Sequence, residues 1–284
     1  MPDKKNVIVI TGATGNIGAE VIKYLRGADA EIRAAVRDAA SSKSDDVNYV
    51  SFDFEHPETY LAALDGATKL FLVRPPAISD VKQFINPVVD AAKAAGITHI
   101  VFLSLLGAEK NSIVPHYKIE RHIEASGVPY TFLRPSFFMQ NLSTTHRDEI
   151  RSRNEIFVPA GNGKTSFIDA RDIAAVAAKT LIETGHEGKS YPLTGSEALR
   201  YDEVATIFSE VLGRKITYTH PSLLRFIFHY IGKQPFAFTL VMSAIYTTAR
   251  LGLAGALTDD TEKLLGRTPI TMRQFAEDFK AMWL

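Results

Sequence analysis

Short, almost unbroken apolar runs alternate with stretches of helical periodicity through the first half of the chain. NVIVI (6–10) precedes NIGAEVIKYLRGA, EIRAAV (31–36) follows, and VNYVSFD (47–53) precedes PETYLAALDGA. KLFLV (69–73) leads to VKQFINPVVDAAKAAG, HIVFLS (99–104) to PHYKIERHIEASG, and YTFLRP (130–135) closes the series. A strand apolar at nearly every position is buried on both faces, as a parallel strand with helices above and below it must be. Six such strands with helical crossovers predict an α/β fold, a doubly wound parallel (Rossmann) sheet.

After Pro135 the alternation breaks down. RSRNEIFVPAGNGKTSF (151–167) reads as a hairpin or loop, DARDIAAVAAKTLIETG (169–185) as a helix capped by Asp172, and KSYPLTG (189–195) as a strand. YDEVATIFSEVLGRKITYTH (201–220) reads as helix, glycine stop and strand, and the tail opens on a capping box, Thr271-x-x-Gln274. The expected organisation is a dinucleotide-binding domain over 1–135, with return segments from about 165–182, and a smaller, mostly helical, partly interleaved lobe over 136–284. PFAFTLVMSAIYTTARLGLAGAL (235–257) approaches the length of a membrane span, but Thr239, Ser243, Thr247 and Arg250 fall on one face. That spacing makes it an amphipathic helix, expected to pack on the substrate cleft or on a partner subunit.

Composition narrows the function. Thirty-two basic residues balance thirty-two acidic ones among 284, so no net field draws the chain to nucleic acid or to an anionic membrane. The absence of cysteine removes thiolate nucleophiles and zinc-thiolate sites, so no metal is expected and any redox chemistry needs a borrowed cofactor. A core strand begins within six residues of the start, without a basic-then-apolar leader, and a cytoplasmic location is expected.

The first strand runs into TGATGNIG and then a helix. Gly12 allows the tight turn, Gly15 lets a pyrophosphate approach the backbone, and Gly18 lets helix and strand pack closely. Thr14, Asn16 and Ile17 complete the loop that presents free N–H groups to the anion. At the end of the second strand stands Arg37, suited to a 2′-phosphate, so NADP(H) is the preferred cofactor. Asp38 beside it can take a ribose hydroxyl, which leaves NAD(H) open.

TGATGNIG, VSFDFEHPETYLAALDGATKLFLV, AAKAAGITHIVFLSLLGA, HYKIERHIEASGVPYTFLRP and DARDIAAVAAKTL together resemble the NmrA-like group of atypical short-chain dehydrogenase/reductases, across about residues 6 to 215. That group includes NAD(P)H:quinone reductases, triphenylmethane-dye reductases and redox-sensing regulators. The resemblance implies that Asp53 and Phe54 lie beside the adenine, with core packing as the other reading of Phe54, and that Val73 and Arg74 border the ribose and nicotinamide side.

Most short-chain reductases place a lysine one helical turn after a tyrosine, lowering the phenol's pKa so that it can protonate the product. None of the ten tyrosines here has lysine at that spacing, and Tyr117 and Lys118 are adjacent and face apart. In register with the family pattern, Ser112 takes the tyrosine position and His116 the lysine position. Ser104 alone stands where relatives often have a pair. His116 is the candidate proton donor or a structural hydrogen-bonder, and Glu120, one turn on, orients it or forms a surface pair.

A weak acid site restricts the chemistry. An alkoxide from a ketone has a conjugate acid of pKa roughly 16, whereas a reduced quinone is phenol-like, at about 10, and a cationic dye needs only the hydride. Phe137, Phe138 and Met139 after the sixth strand offer apolar walls to an aromatic acceptor, with Asn141 as a polar contact; packing between the lobes is their other reading. The expected function is an NADPH-dependent reductase acting on a quinone or another conjugated aromatic electrophile. The alternative is a non-catalytic NADP(H)-sensing regulator, and the partners left open are a second copy of the chain or a regulatory protein.

Overall fold

The computed structural model describes residues 6–40 and 47–284. Its strands are β1 (Val7–Ile10), β2 (Glu31–Val36), β3 (Asn48–Ser51), β4 (Lys69–Leu72), β5 (His99–Leu103), β6 (Tyr130–Pro135), β7 (Phe137–Phe138), β8 (Glu155–Ile156), β9 (Thr165–Ile168), β10 (Lys189–Leu193), β11 (Ala198–Leu199) and β12 (Thr217–Tyr218). Its helices are α1 (Gly18–Leu25), α2 (Tyr60–Leu64), α3 (Val81–Phe84), α4 (Asn86–Ala94), α5 (Pro115–Ser126), α6 (Arg147–Arg153), α7 (Ala170–Ile182), α8 (Tyr201–Leu212), α9 (Leu223–Tyr230), α10 (Phe236–Arg250), α11 (Asp260–Leu265) and α12 (Met272–Asp278). The chain divides into two compact units, residues 1–135 with 170–193, and residues 136–169 with 194–284.

The first unit is a seven-stranded parallel sheet in the order β10-β6-β5-β4-β1-β2-β3. Ile8, Ile10, Leu70, Phe71, Ile100 and Phe102 are wholly buried, as strands covered on both faces require. Helix α1 buries Val21, Ile22 and Leu25, and α7, rich in buried alanine, packs closely beside it. The sheet has seven strands where six runs were expected, because KSYPL returns to pair with β6 along its length. Pro192 is tolerated there because β10 is an edge strand. The returning segment is 170–193, where the sequence suggested about 165–182. Helix α7 begins at Ala170, so Asp172 lies in its first turn and not at its cap.

The second unit carries six helices around small sheets of order β11-β9-β7 and β12-β8. Residues 151–167 form no hairpin: β8 pairs parallel with β12, and β9 pairs with β7 and β11. Gly163 brings the intervening loop so close to α10 that a Cβ there would sit 1.7 Å from the Ala249 carbonyl oxygen. Thr271 caps α12 by accepting the Gln274 N–H, but the Gln274 amide turns to Asp278 and does not complete the capping box. Trp283 is fully buried against Phe208 and Phe275, and its Nε1 donates to the Leu142 carbonyl at 3.0 Å. On α10 the polarity is mixed: Met242, Tyr246 and Ala249 are buried in the core, but so are two hydroxyl side chains. Thr239 and Ser243 face inward while Leu240, Val241 and Ile245 are exposed. The Thr239 hydroxyl reaches back to the Pro235 carbonyl at 3.5 Å, as half-buried Thr247 does to Ser243 at 2.7 Å, whereas the buried Ser243 hydroxyl has no partner among the described residues. Among the described residues no helix is long and apolar enough to cross a membrane.

Candidate functional site

The sheet order turns at β1, from which the chain winds to β4 on one side and to β2 on the other. Ligands of open α/β sheets bind in the crevice outside the strand ends at such a point. Thr11 ties the two strands together there: its hydroxyl donates to the Phe71 carbonyl at 3.1 Å and accepts the Val73 N–H at 2.8 Å. Gly12 follows with φ +64°, a conformation that favours glycine, and lies against Val73.

The three glycines are needed for different reasons. A Cβ on Gly18 would lie 2.3 Å from the Gly12 carbonyl oxygen, so the helix can start this close to the turn only without a side chain. A Cβ on Gly15 would meet only that same oxygen, at 3.3 Å, and Gly15 is exposed between exposed Thr14 and Asn16. Among the described residues no other atom beyond its chain neighbours comes within 4 Å of that position, which fits the approach of a pyrophosphate. Ile17 is buried beneath the loop, and no side chain caps the start of α1.

Arg37 and Asp38 are exposed at the end of β2. Arg37 makes no hydrogen bond or ion pair among the described residues, whereas Asp38 accepts the Ala40 N–H at 3.1 Å. Asp53 shapes the turn after β3 by accepting the Glu55 N–H at 3.0 Å. The Phe54 ring is committed to the core, edge-on to Phe52 with centroids 5.0 Å apart, so packing is the role its side chain plays here. Arg74, directly after Val73, is half-buried and held by the carbonyls of the next loop.

His116 is the second residue of α5, with its ring 6.0 Å from that of Phe102. Burial, assisted by the positive charge of Arg74, pushes it down to about 3. The expectation that it donates a proton near neutral pH is therefore corrected: the imidazole is neutral there, because an imidazolium would lose its hydration beside another cation. Its Nδ1 is buried without a partner among the described residues. Ser112, in the register of the family tyrosine, lies in an exposed turn before α5.

Glu120 neither orients His116 nor forms a surface pair. It is fully buried, accepts the Ser104 hydroxyl at 2.6 Å, and takes Nε and Nη2 of Arg134 at 2.9 and 2.7 Å. Glu109 lies 3.4 Å from the same guanidinium. The Ser104 proton is thus directed to Glu120 and away from any substrate. Sequence reasoning missed Arg134, although an arginine near the end of an otherwise apolar strand needs a partner and was the available signal.

In the second unit, Phe137 and Phe138 form β7 and are half-buried, with Phe137 packed on the core. Met139 is 1% exposed inside that core, so it is not a pocket wall; the turn after β7 points it inward. Asn141 is half-buried and its carbonyl accepts the His146 N–H. Among the described residues no group of three or more histidines and carboxylates is placed to hold a metal.

Comparison with known proteins agrees with this geometry. The model of the NmrA-like family matches residues 4–252. An NAD(P)H azoreductase of Xenophilus azovorans is 36% identical over 279 residues, covering 95% of this chain and 97% of that protein. The triphenylmethane reductase of Citrobacter sp., solved in complex with NADP(H), superposes with a TM-score of 0.83 at 30% identity, over 98% of this chain and 100% of the other. The NADPH-dependent quinone oxidoreductase QOR2 of Escherichia coli, solved with NADPH, gives 0.87 at 27% identity, also over 98% and 100%.

Proposed function

Because the chain belongs to the NmrA-like family, we propose that it is an NADPH-dependent reductase delivering hydride to a quinone or another conjugated aromatic acceptor. The observation that carries the reading is the open glycine loop at the turn in strand order, with the guanidinium of Arg37, unpaired among the described residues, at the next strand end. NAD(P)H-dependent oxidoreductase activity is also what the azoreductase, dye reductase and quinone reductase relatives have in common.

The cofactor, when bound, supplies the hydride. The backbone around Gly15 would hold the pyrophosphate and Arg37 the 2′-phosphate, while Thr11 keeps β1 and β4 in register. The acid–base groups are sparse. Ser104 donates its hydrogen bond to Glu120, and His116 is neutral. Such a site suits acceptors whose reduced oxygen resembles a phenolate, with a pKa of about 10, since water can complete the protonation. It suits ketones poorly.

The test is steady-state oxidation of NADPH with a panel of quinones, azo compounds and triphenylmethane dyes. Turnover with at least one of these, and none with simple ketones, is the expected result. Tight NADPH binding with no turnover on any acceptor would replace the reading with that of a dinucleotide sensor. Cofactor choice has its own test. Arg37→Ala should weaken NADPH by about tenfold to a hundredfold, from loss of a charge-assisted contact worth roughly 1.5–3 kcal/mol, and leave NADH nearly unchanged by calorimetry. Equal loss for both cofactors would take Arg37 out of the site.

A further inference from the structure

Two arginines stand at strand ends on the same edge of one sheet and differ in how their forks are used. Arg134 turns the side edge of its guanidinium, Nε and Nη2, onto the Glu120 carboxylate at 2.9 and 2.7 Å. Arg74 engages only Nη1, which donates to the carbonyls of Pro75, Pro76 and Ile78 at 2.9, 3.2 and 2.5 Å. Those bonds fix the plane of the guanidinium. Its Nε is buried and without a partner, Nη2 meets no acceptor, and no carboxylate pairs with it among the described residues.

We infer that the Nε–Nη2 edge of Arg74 binds a two-oxygen anion, a carboxylate or sulfonate, carried by the electron acceptor. The inference rests on the reductase reading and names the class of acceptor that the site selects. A planar fork with Nη1 held and its Nε–Nη2 edge left without an acceptor among the described residues matches the spacing of two oxygens on one centre, and Arg134 shows the same edge doing this within the same sheet. Burial pulls Arg74 down from the ordinary arginine value, so a counter-charge at this point is favourable. His116 lies near enough to feel the same cation, and its buried Nδ1 also lacks a partner. An anion on Arg74 would offset the charge that keeps His116 neutral.

The cofactor's own anionic groups have other places. On the reductase reading its pyrophosphate would lie at the glycine loop and its 2′-phosphate at Arg37, whereas Arg74 follows Val73 on the β4 side of the crevice. The anion left for Arg74 is therefore on the acceptor.

The experiment compares a naphthoquinone sulfonate with the parent naphthoquinone in the wild type, Arg74→Gln and Arg74→Lys. Arg74→Gln should lower the ratio of kcat/KM for the sulfonate to that for the parent by about tenfold to a hundredfold, and Arg74→Lys, which keeps the charge without the fork, by less. Using the ratio removes any general loss of fold or cofactor affinity. An unchanged ratio in both variants overturns the inference. A second arm needs no turnover: calorimetry of naphthalene sulfonate, against its neutral sulfonamide, on the NADP-loaded protein. If the wild type reduces neither quinone, the reductase reading fails. The anion subsite then stands if Arg74→Gln selectively weakens naphthalene sulfonate, and falls if it does not.

Discussion

Glu120→Ala is expected to lower the stability of the protein by about 3 kcal/mol, because it removes the bidentate partner of the mostly buried Arg134 guanidinium and leaves it only Glu109, at 3.4 Å. Urea unfolding of the wild type, Glu120→Ala and the double variant Glu120→Gln/Arg134→Met would measure it. The double variant should recover much of the loss, since removing both charges is cheaper than stranding one. Ser104→Ala should do far less, because a single neutral donor is lost and Glu120 keeps Arg134. A Glu120→Ala variant within about 0.5 kcal/mol of wild type, the range of ordinary surface changes, would mean that the network is solvated in solution.

Acid should destabilise the protein well above the range in which carboxylates titrate. His99 and His146 are each pushed down to about 4 by burial, and His116 to about 3 by burial and Arg74. His99 donates Nε2–H to the Thr131 hydroxyl, whose own proton goes to the His186 carbonyl, so the His99 ring is fixed with Nδ1 bare and buried. The unfolded chain takes up protons on these rings below about 6.5 while the folded chain does not, so stability falls as pH falls through that value. Each ring contributes on the order of 2–3 kcal/mol of loss by pH 4. The thermal midpoint should hold from pH 8 to 7 and then drop steadily. A midpoint that stays level from pH 7 to 5 would show that these rings already carry their protons in the fold.

The parallel sheet was legible because its strands are apolar at successive positions, and no other common arrangement buries both faces of a strand. The glycine loop was legible because Gly12, Gly15 and Gly18 follow a strand and open a helix. KSYPL was harder to place: its Pro192 and exposed Lys189 and Ser190 describe an edge strand, and which edge it joins depends on chain far from it. The catalytic region was read poorly for a related reason. The family register brings His116 and Glu120 together along one helix, but Glu120 is claimed by Arg134 from a neighbouring strand and His116 is influenced by Arg74 from another. Helical spacing carries no information about such partners. Met139 failed as a pocket residue because the direction of a side chain after a two-residue strand depends on one turn.

The return of residues 170–193 to the first unit bears on how the chain is made. Every residue from Thr131 to Pro135 pairs with β10, so until Leu193 has left the ribosome β6 is a bare edge with unsatisfied amide groups. At about 5–20 residues per second of synthesis, that interval lasts several seconds. The second unit waits longer still, since Trp283 fills its core. Premature termination therefore leaves no finished half behind: a chain stopped at Pro135 has the nucleotide loop but an uncovered sheet, and one stopped before Trp283 has a hole where its largest side chain belongs. Messages cut short, or ribosomes stalled late, would yield sticky products, and the nascent chain has reason to depend on chaperones until Trp283 has emerged.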